Sequence, residues 1–275
     1  MRKTNYFKTT LAIACMALFT VGCTGEKAAT IDDLKEASTD NAQSSSISDD
    51  VVSTVDEFVD KAETTLPKLS LVGMSKAPTI DSAGVKIDIV RTPLTIYPIT
   101  VTIDFGTTGF TGKRGNVFKG KVIATVTGPM RITGSKRTVK YENLSINDNT
   151  VKGTKTVTCK TPLSWGVVAN DTITRASDGA KIIYNVDQTR TSVPAGADSY
   201  FLIQGSANGV NAKGKSYTAD ITTALKIFVN YKHIVSGLLT IKSDTKTAII
   251  NYGDGSKDDK AKVTIGVKTY DITLK

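Results

Sequence analysis

Histidine occurs once, at His233, tryptophan once, at Trp165, and cysteine three times in 275 residues. A lone histidine gives a Ser-His-Asp or Cys-His device only one base to build on, and no G-x-S-x-G turn accompanies any serine. Zinc chemistry fails for the same reason, since such a site needs several His or Cys ligands. Glutamate is nearly absent from residues 69–275, where Glu142 stands among 15 acids, so no carboxyl pair for glycoside hydrolysis announces itself. The apolar run Leu11–Val21 falls short of the ~20 residues that cross a bilayer, and no later window comes close. These absences read as a non-enzymatic chain with no catalytic residues, no metal and no cofactor.

The N-terminus carries an address. Arg2, Lys3 and Lys8 precede the apolar run, and Gly22 stands directly before Cys23. Residues 1–22 therefore read as an export signal. Thr20-Val21-Gly22-Cys23 resembles the bacterial lipobox, with Thr20 where that motif usually has an aliphatic residue. The resemblance implies that Cys23 is acylated and becomes the first mature residue, anchoring the chain to a membrane. Cys15 leaves with the signal, so Cys159 is left without a disulfide partner and reads as a buried structural side chain.

Charge divides the mature chain. Residues 23–68 hold 11 acids and four bases, whereas residues 69–275 are net +13. Residues 23–47, interrupted by Ser44-Ser45-Ser46, read as a flexible tether. Residues 48–66 read as an acidic amphipathic helix: Val51, Val52, Val55, Phe58, Val59 and Ala62 recur at helical spacing after Ser48-Asp49-Asp50, and Pro67 ends the pattern.

Residues 69–275 read as one β-rich domain. Ile99, Val101, Ile103 and Phe105 alternate with polar residues, as do Val122, Ala124 and Val126, and Tyr270, Ile272 and Leu274. Turn signals such as Asn147-Asp148-Asn149, Asp178-Gly179 and Gly253-Asp254-Gly255 separate the runs, with no helical stretch between them. The fold class is all-β: an antiparallel meander of about ten to thirteen strands, curled into an elongated sandwich or half-open barrel. Ile182, Ile183 and Tyr184 read as a strand apolar on both faces, and His233 as a sheet-surface or hydrogen-bonded residue.

Candidate ligand contacts are Phe110, in the loop from Gly109 to Gly115, with Lys113, Arg114, Lys119 and Lys121. A second set of bases, Arg131, Lys136, Arg137 and Lys140, follows in the next hairpin. Export speaks against nucleic acid as the partner of this basic face, and the acidic helix is a partner within the chain. The loop Asp254–Asp259 alternates oxygen side chains but lacks the glycine and terminal carboxylate of a calcium loop, so it reads as a solvated hairpin.

Residues 98–275 carry a family resemblance. Thr102-Ile103-Asp104-Phe105-Gly106, Gly214-Lys215-Ser216-Tyr217-Thr218, Ile234-Val235-Ser236-Gly237 and Tyr252-Gly253-Asp254-Gly255 are similar to segments of uncharacterised Bacteroidetes envelope lipoproteins. That resemblance implies an outer-membrane lipoprotein facing the periplasm or the cell surface. It also implies O-glycosylation at Ser82 in Asp81-Ser82-Ala83 and Thr172 in Asp171-Thr172-Ile173. The expected work is surface binding or adhesion to a glycan, or to an envelope or host protein. The alternative is a periplasmic carrier or assembly factor shielding a lipid or an outer-membrane client, which needs an open apolar concave face.

Overall fold

The computed structural model describes residues 29–69, 79–91 and 97–274; Cys23 and the signal lie outside them. One helix, α1 (Ile31–Leu69), precedes a β-meander. Its first strands are β1 (Ile80–Ser82), β2 (Val85–Arg91), β3 (Ile99–Asp104), β4 (Phe110–Thr111), β5 (Val117–Val126), β6 (Lys136–Ile146) and β7 (Asn149–Thr161). The chain continues through β8 (Ser164–Thr174), β9 (Lys181–Val193), β10 (Tyr200–Val210) and β11 (Ser216–Phe228). It closes with β12 (Ser236–Ser243), β13 (Lys246–Asp254), β14 (Lys260–Ile265) and β15 (Lys268–Thr273). All pair antiparallel with their sequence neighbours in one sheet that does not close into a barrel, with β4 attached to β5 alone.

The half-open meander expected from the period-two pattern is the fold, with 15 strands rather than ten to thirteen. One strand expected to be apolar on both faces is not: Ile182 and Tyr184 point inward, whereas Ile183 is 40% exposed.

The larger correction concerns the helix. It begins at Ile31, so residues 31–47 of the expected tether are helical, and it runs for 39 residues. Its polar partners pass broadly from later strands near the helix start to earlier strands near its end. Asn211, after β10, donates to the Asp33 carbonyl, Arg175, after β8, pairs with Glu36 and Asp40, and Lys155 on β7 donates to the Ser48 carbonyl. Asn116, before β5, donates to Asp50, and Tyr97, before β3, donates to Glu63. The helix, ~58 Å long, packs along the concave face against inward side chains of strands from β2 to β14.

The strands bend around this helix at glycines. Gly153 in β7 has φ +141°, and a Cβ there would lie 2.1 Å from the Asn170 carbonyl oxygen. Gly205 in β10 has φ +124°, and a Cβ there would lie 2.3 Å from the Asp187 oxygen. The register between β10 and β11 shifts between Ile203 and Ser206, at this bend.

Two apolar clusters hold the helix. Val51, Val55, Phe58, Val59 and Ala62 join the inward faces of β2 to β8. Leu34, Ala37 and Ala42 join those of β9 to β14. Between the clusters the seam is charged: Asp49 with Arg190, and Lys155 with Asp171 at 3.6 Å, are ion pairs of buried residues. Desolvation pushes the Asp171 carboxyl up and the Lys155 ammonium down, each opposed by the other's charge.

Candidate binding surface

The loop expected to meet a ligand packs partly against the helix. The half-buried Phe110 ring lies 5.4 Å from that of Phe58 and 5.9 Å from that of Phe105, at the edge of the apolar core. Arg114 is 4% exposed, and its guanidinium faces Asp49 and Asp50 of the helix and Arg190 of β9. Lys113 pairs with Glu57 at 3.3 Å, Lys119 with Asp148 at 2.8 Å and Lys121 with Asp104 at 3.2 Å. Arg137, from the second basic set, is buried against Asp56. The acidic helix is thus a partner of these bases.

The modification motifs are also engaged. Ser82 accepts a hydrogen bond from Lys61 at 3.1 Å. Thr172 is half-buried, and its neighbour Asp171 is the buried partner of Lys155. Cys159 is buried, and its thiol donates to the Thr161 carbonyl. Among the described residues, no three His, Cys, Asp or Glu side chains gather as a metal-ligand set, and no helix is long and apolar enough to cross a membrane. In the hairpin after β13, Asp254 and Asp258 accept from the backbone of Ser256 and Lys260, turning their carboxylates onto their own loop.

What the meander does bring together lies at one end of the sheet, where every second connection emerges. Residues 194–199, 229–235 and 255–259 link β9 to β10, β11 to β12 and β13 to β14. Val229 donates to the Ser199 carbonyl and Gly255 to the Val235 carbonyl, which ties the three connections into one rim. Lys257 pairs with Asp198 at 3.0 Å and lies 4.4 Å from the Phe228 ring centre. Lys226 stands 4.4 Å over the Tyr200 ring, which meets Phe228 edge-on at 6.2 Å. Tyr231 and His233 are half-buried and meet edge-on at 6.0 Å.

Aromatic rings beside paired charges present apolar faces and hydrogen-bonding tips together. Burial, with Asp258 and Asp259 nearby, pushes the Tyr231 phenol up; burial and Lys232 pull the His233 imidazole down, keeping it neutral. Beneath this rim lies a cavity of about 10 Å³ lined by Ala42 and Ser46 of the helix and by Lys232, His233 and Tyr252. His233 sits in the connection between strands, not on a sheet surface.

Comparison of the chain with protein-family models, curated proteins and solved structures finds no match.

Proposed function

We propose that this chain is a lipid-anchored, non-enzymatic protein of the cell envelope that binds a glycan or protein ligand at its surface. The anchor is acylated Cys23, and the ligand surface is the rim of residues 194–199, 229–235 and 255–259. The observation that carries this reading is the convergence of Tyr200, Tyr231 and His233 with Lys226 and Lys257 at one end of the sheet. Half-buried aromatics with fixed charges suit hydroxyl-rich or anionic ligands.

Carriage of a lipid or client is less well supported, because the concave face such a protein would use is filled by α1. The large apolar side chains left exposed among the described residues are Ile31 on the helix, Val90, Val168, Ile183 and Ile249 on strands, and Ile132, Leu163 and Val267 in connections, each on a different element.

The test is binding of the purified mature chain to arrays of glycans and host surface proteins, beside a Tyr231→Ala/Lys257→Glu variant. Binding that falls at least tenfold in the variant supports the reading. Binding indifferent to the variant, or recovery of the protein with bound lipid and no array ligand, overturns it.

A further inference from the structure

The two halves of α1 are held by different means. Residues 51–62 bury four valines, Phe58 and Ala62 in a continuous apolar cluster. Residues 31–46 bury Leu34 and two alanines as their apolar contribution, and otherwise place Ser38, Asp40, Asn41, Ser44 and Ser45 against the sheet. Asn41 Oδ1 and Ser44 Oγ are buried without a hydrogen-bond partner, as are the hydroxyls of Tyr217 and Tyr252 and Nδ1 of His233 on the sheet side. Buried unpaired atoms also lie beside the second half, on Arg114, Arg137 and Asp49, so what separates the halves is apolar burial. Ser, Asn, Asp and Thr are weak helix formers, and the first half is held to the trough chiefly by polar contacts that water can replace: Asp40 with the Ala212 amide, and Glu36 and Asp40 with Arg175.

We infer that residues 31–46 form a detachable strap, which leaves the trough of β9 to β14 and loses its helix while Ile47 and residues 51–62 stay docked. Local opening of this kind follows contact quality: a segment with few apolar contacts opens well before the global transition. Release converts about 24 Å of helix into a tether of up to about 53–58 Å ahead of the sheet. It also withdraws Ala42 and Ser46 from beneath Lys232 and His233, where Ser46 Oγ lies 3.4 Å from the Lys232 carbonyl. The strap thereby supports the rim connection 229–235 from below. That last consequence for ligand binding rests on the proposed function; the opening itself does not.

Hydrogen exchange on the purified full chain, followed peptide by peptide, tests the strap. Amides 35–46 are expected to exchange as one block, at least 100-fold faster than amides 52–62, with a step between Ser46 and Val51. Leu34→Ala, which removes the largest apolar contact of the strap, is expected to speed that block at least tenfold and leave 52–62 and the sheet unchanged. Equal protection across 35–62, a smooth gradient from the helix end, or a Leu34→Ala effect spread over the whole protein would each overturn the inference. Array binding plays no part in this readout, so its outcome is independent of the ligand proposal.

Discussion

Asp49 on the helix and Arg190 on β9 form an ion pair across 141 residues of sequence, with side chains 7% and 3% exposed. The pair sits midway along the seam, between the two apolar clusters, where it sets the helix position together with Lys155 on Ser48 and Asn116 on Asp50. Breaking one side of such a pair leaves a buried charge uncompensated, at a cost of ~3–5 kcal/mol. Asp49→Ala should lower the urea midpoint accordingly. Asp49→Ala combined with Arg190→Met should recover part of the loss, because no charge is then stranded.

Acid should first stabilise and then destabilise the protein. Burial, with Glu36 nearby, raises the Asp40 carboxyl to about 6, against hydrogen bonding from Ala212 and the charge of Arg175. The folded state then holds a proton that the unfolded state has already released, so stability grows as pH falls from about 6 towards 4. Asp50, Asp60 and Glu63, also raised by burial, act in the same sense. His233, lowered by burial, acts in the opposite sense as pH falls through its ordinary value. Asp33 and Asp104, lowered by backbone hydrogen bonds, withdraw stability below about pH 4. Asp40→Asn isolates the first effect: the gain in melting temperature between pH 7 and pH 5 should shrink, by the equivalent of about 1 kcal/mol.

Much of this fold was legible, for reasons that Ile99, Val101 and Ile103 illustrate. An antiparallel strand buried on one face writes its period into the sequence, and Asn147-Asp148 and Asp178-Gly179 mark the turns between strands. The second half of the helix was legible by the same logic, through Val51, Val55, Phe58 and Val59. Its first half was not, because Ser44-Ser45-Ser46 interrupt the apolar pattern, and a buried polar residue such as Asp40 finds its partners in Arg175 and the Ala212 amide, more than 100 residues away. The contact of Phe110 with Phe58 left no mark in the sequence, because the flanking glycines signal a loop and the second ring lies on the helix. Tyr200, Phe228 and Lys257 gave no local signal at all. Their one trace was that all three fall at strand ends on alternate connections of a meander, which must share one end of the sheet.

Bending the strands should depend on the glycines. Gly153→Ala forces a Cβ into the Asn170 carbonyl at a φ that other residues rarely adopt, and should cost at least ~2 kcal/mol in chemical denaturation. Gly179→Ala is a useful contrast, since a Cβ there meets nothing within 4 Å and only the φ of +72° is strained. It should cost about 1–2 kcal/mol.

Phe58 should be the most sensitive apolar position of the helix. It is fully buried and touches the rings of Phe105 and Phe110 edge-on. Phe58→Ala should lose ~3–5 kcal/mol, whereas Leu34→Ala at the loosely held end should lose less than its usual ~2–5 kcal/mol in global stability.

Surface binding requires the rim to face outward from the cell. Intact and permeabilised cells treated with a nonspecific protease, with this chain followed by immunoblot beside a periplasmic control, test that requirement directly. Loss of the chain from intact cells, with the control spared, is the predicted result. Protection until permeabilisation would contradict surface binding and return the chain to a role within the periplasm.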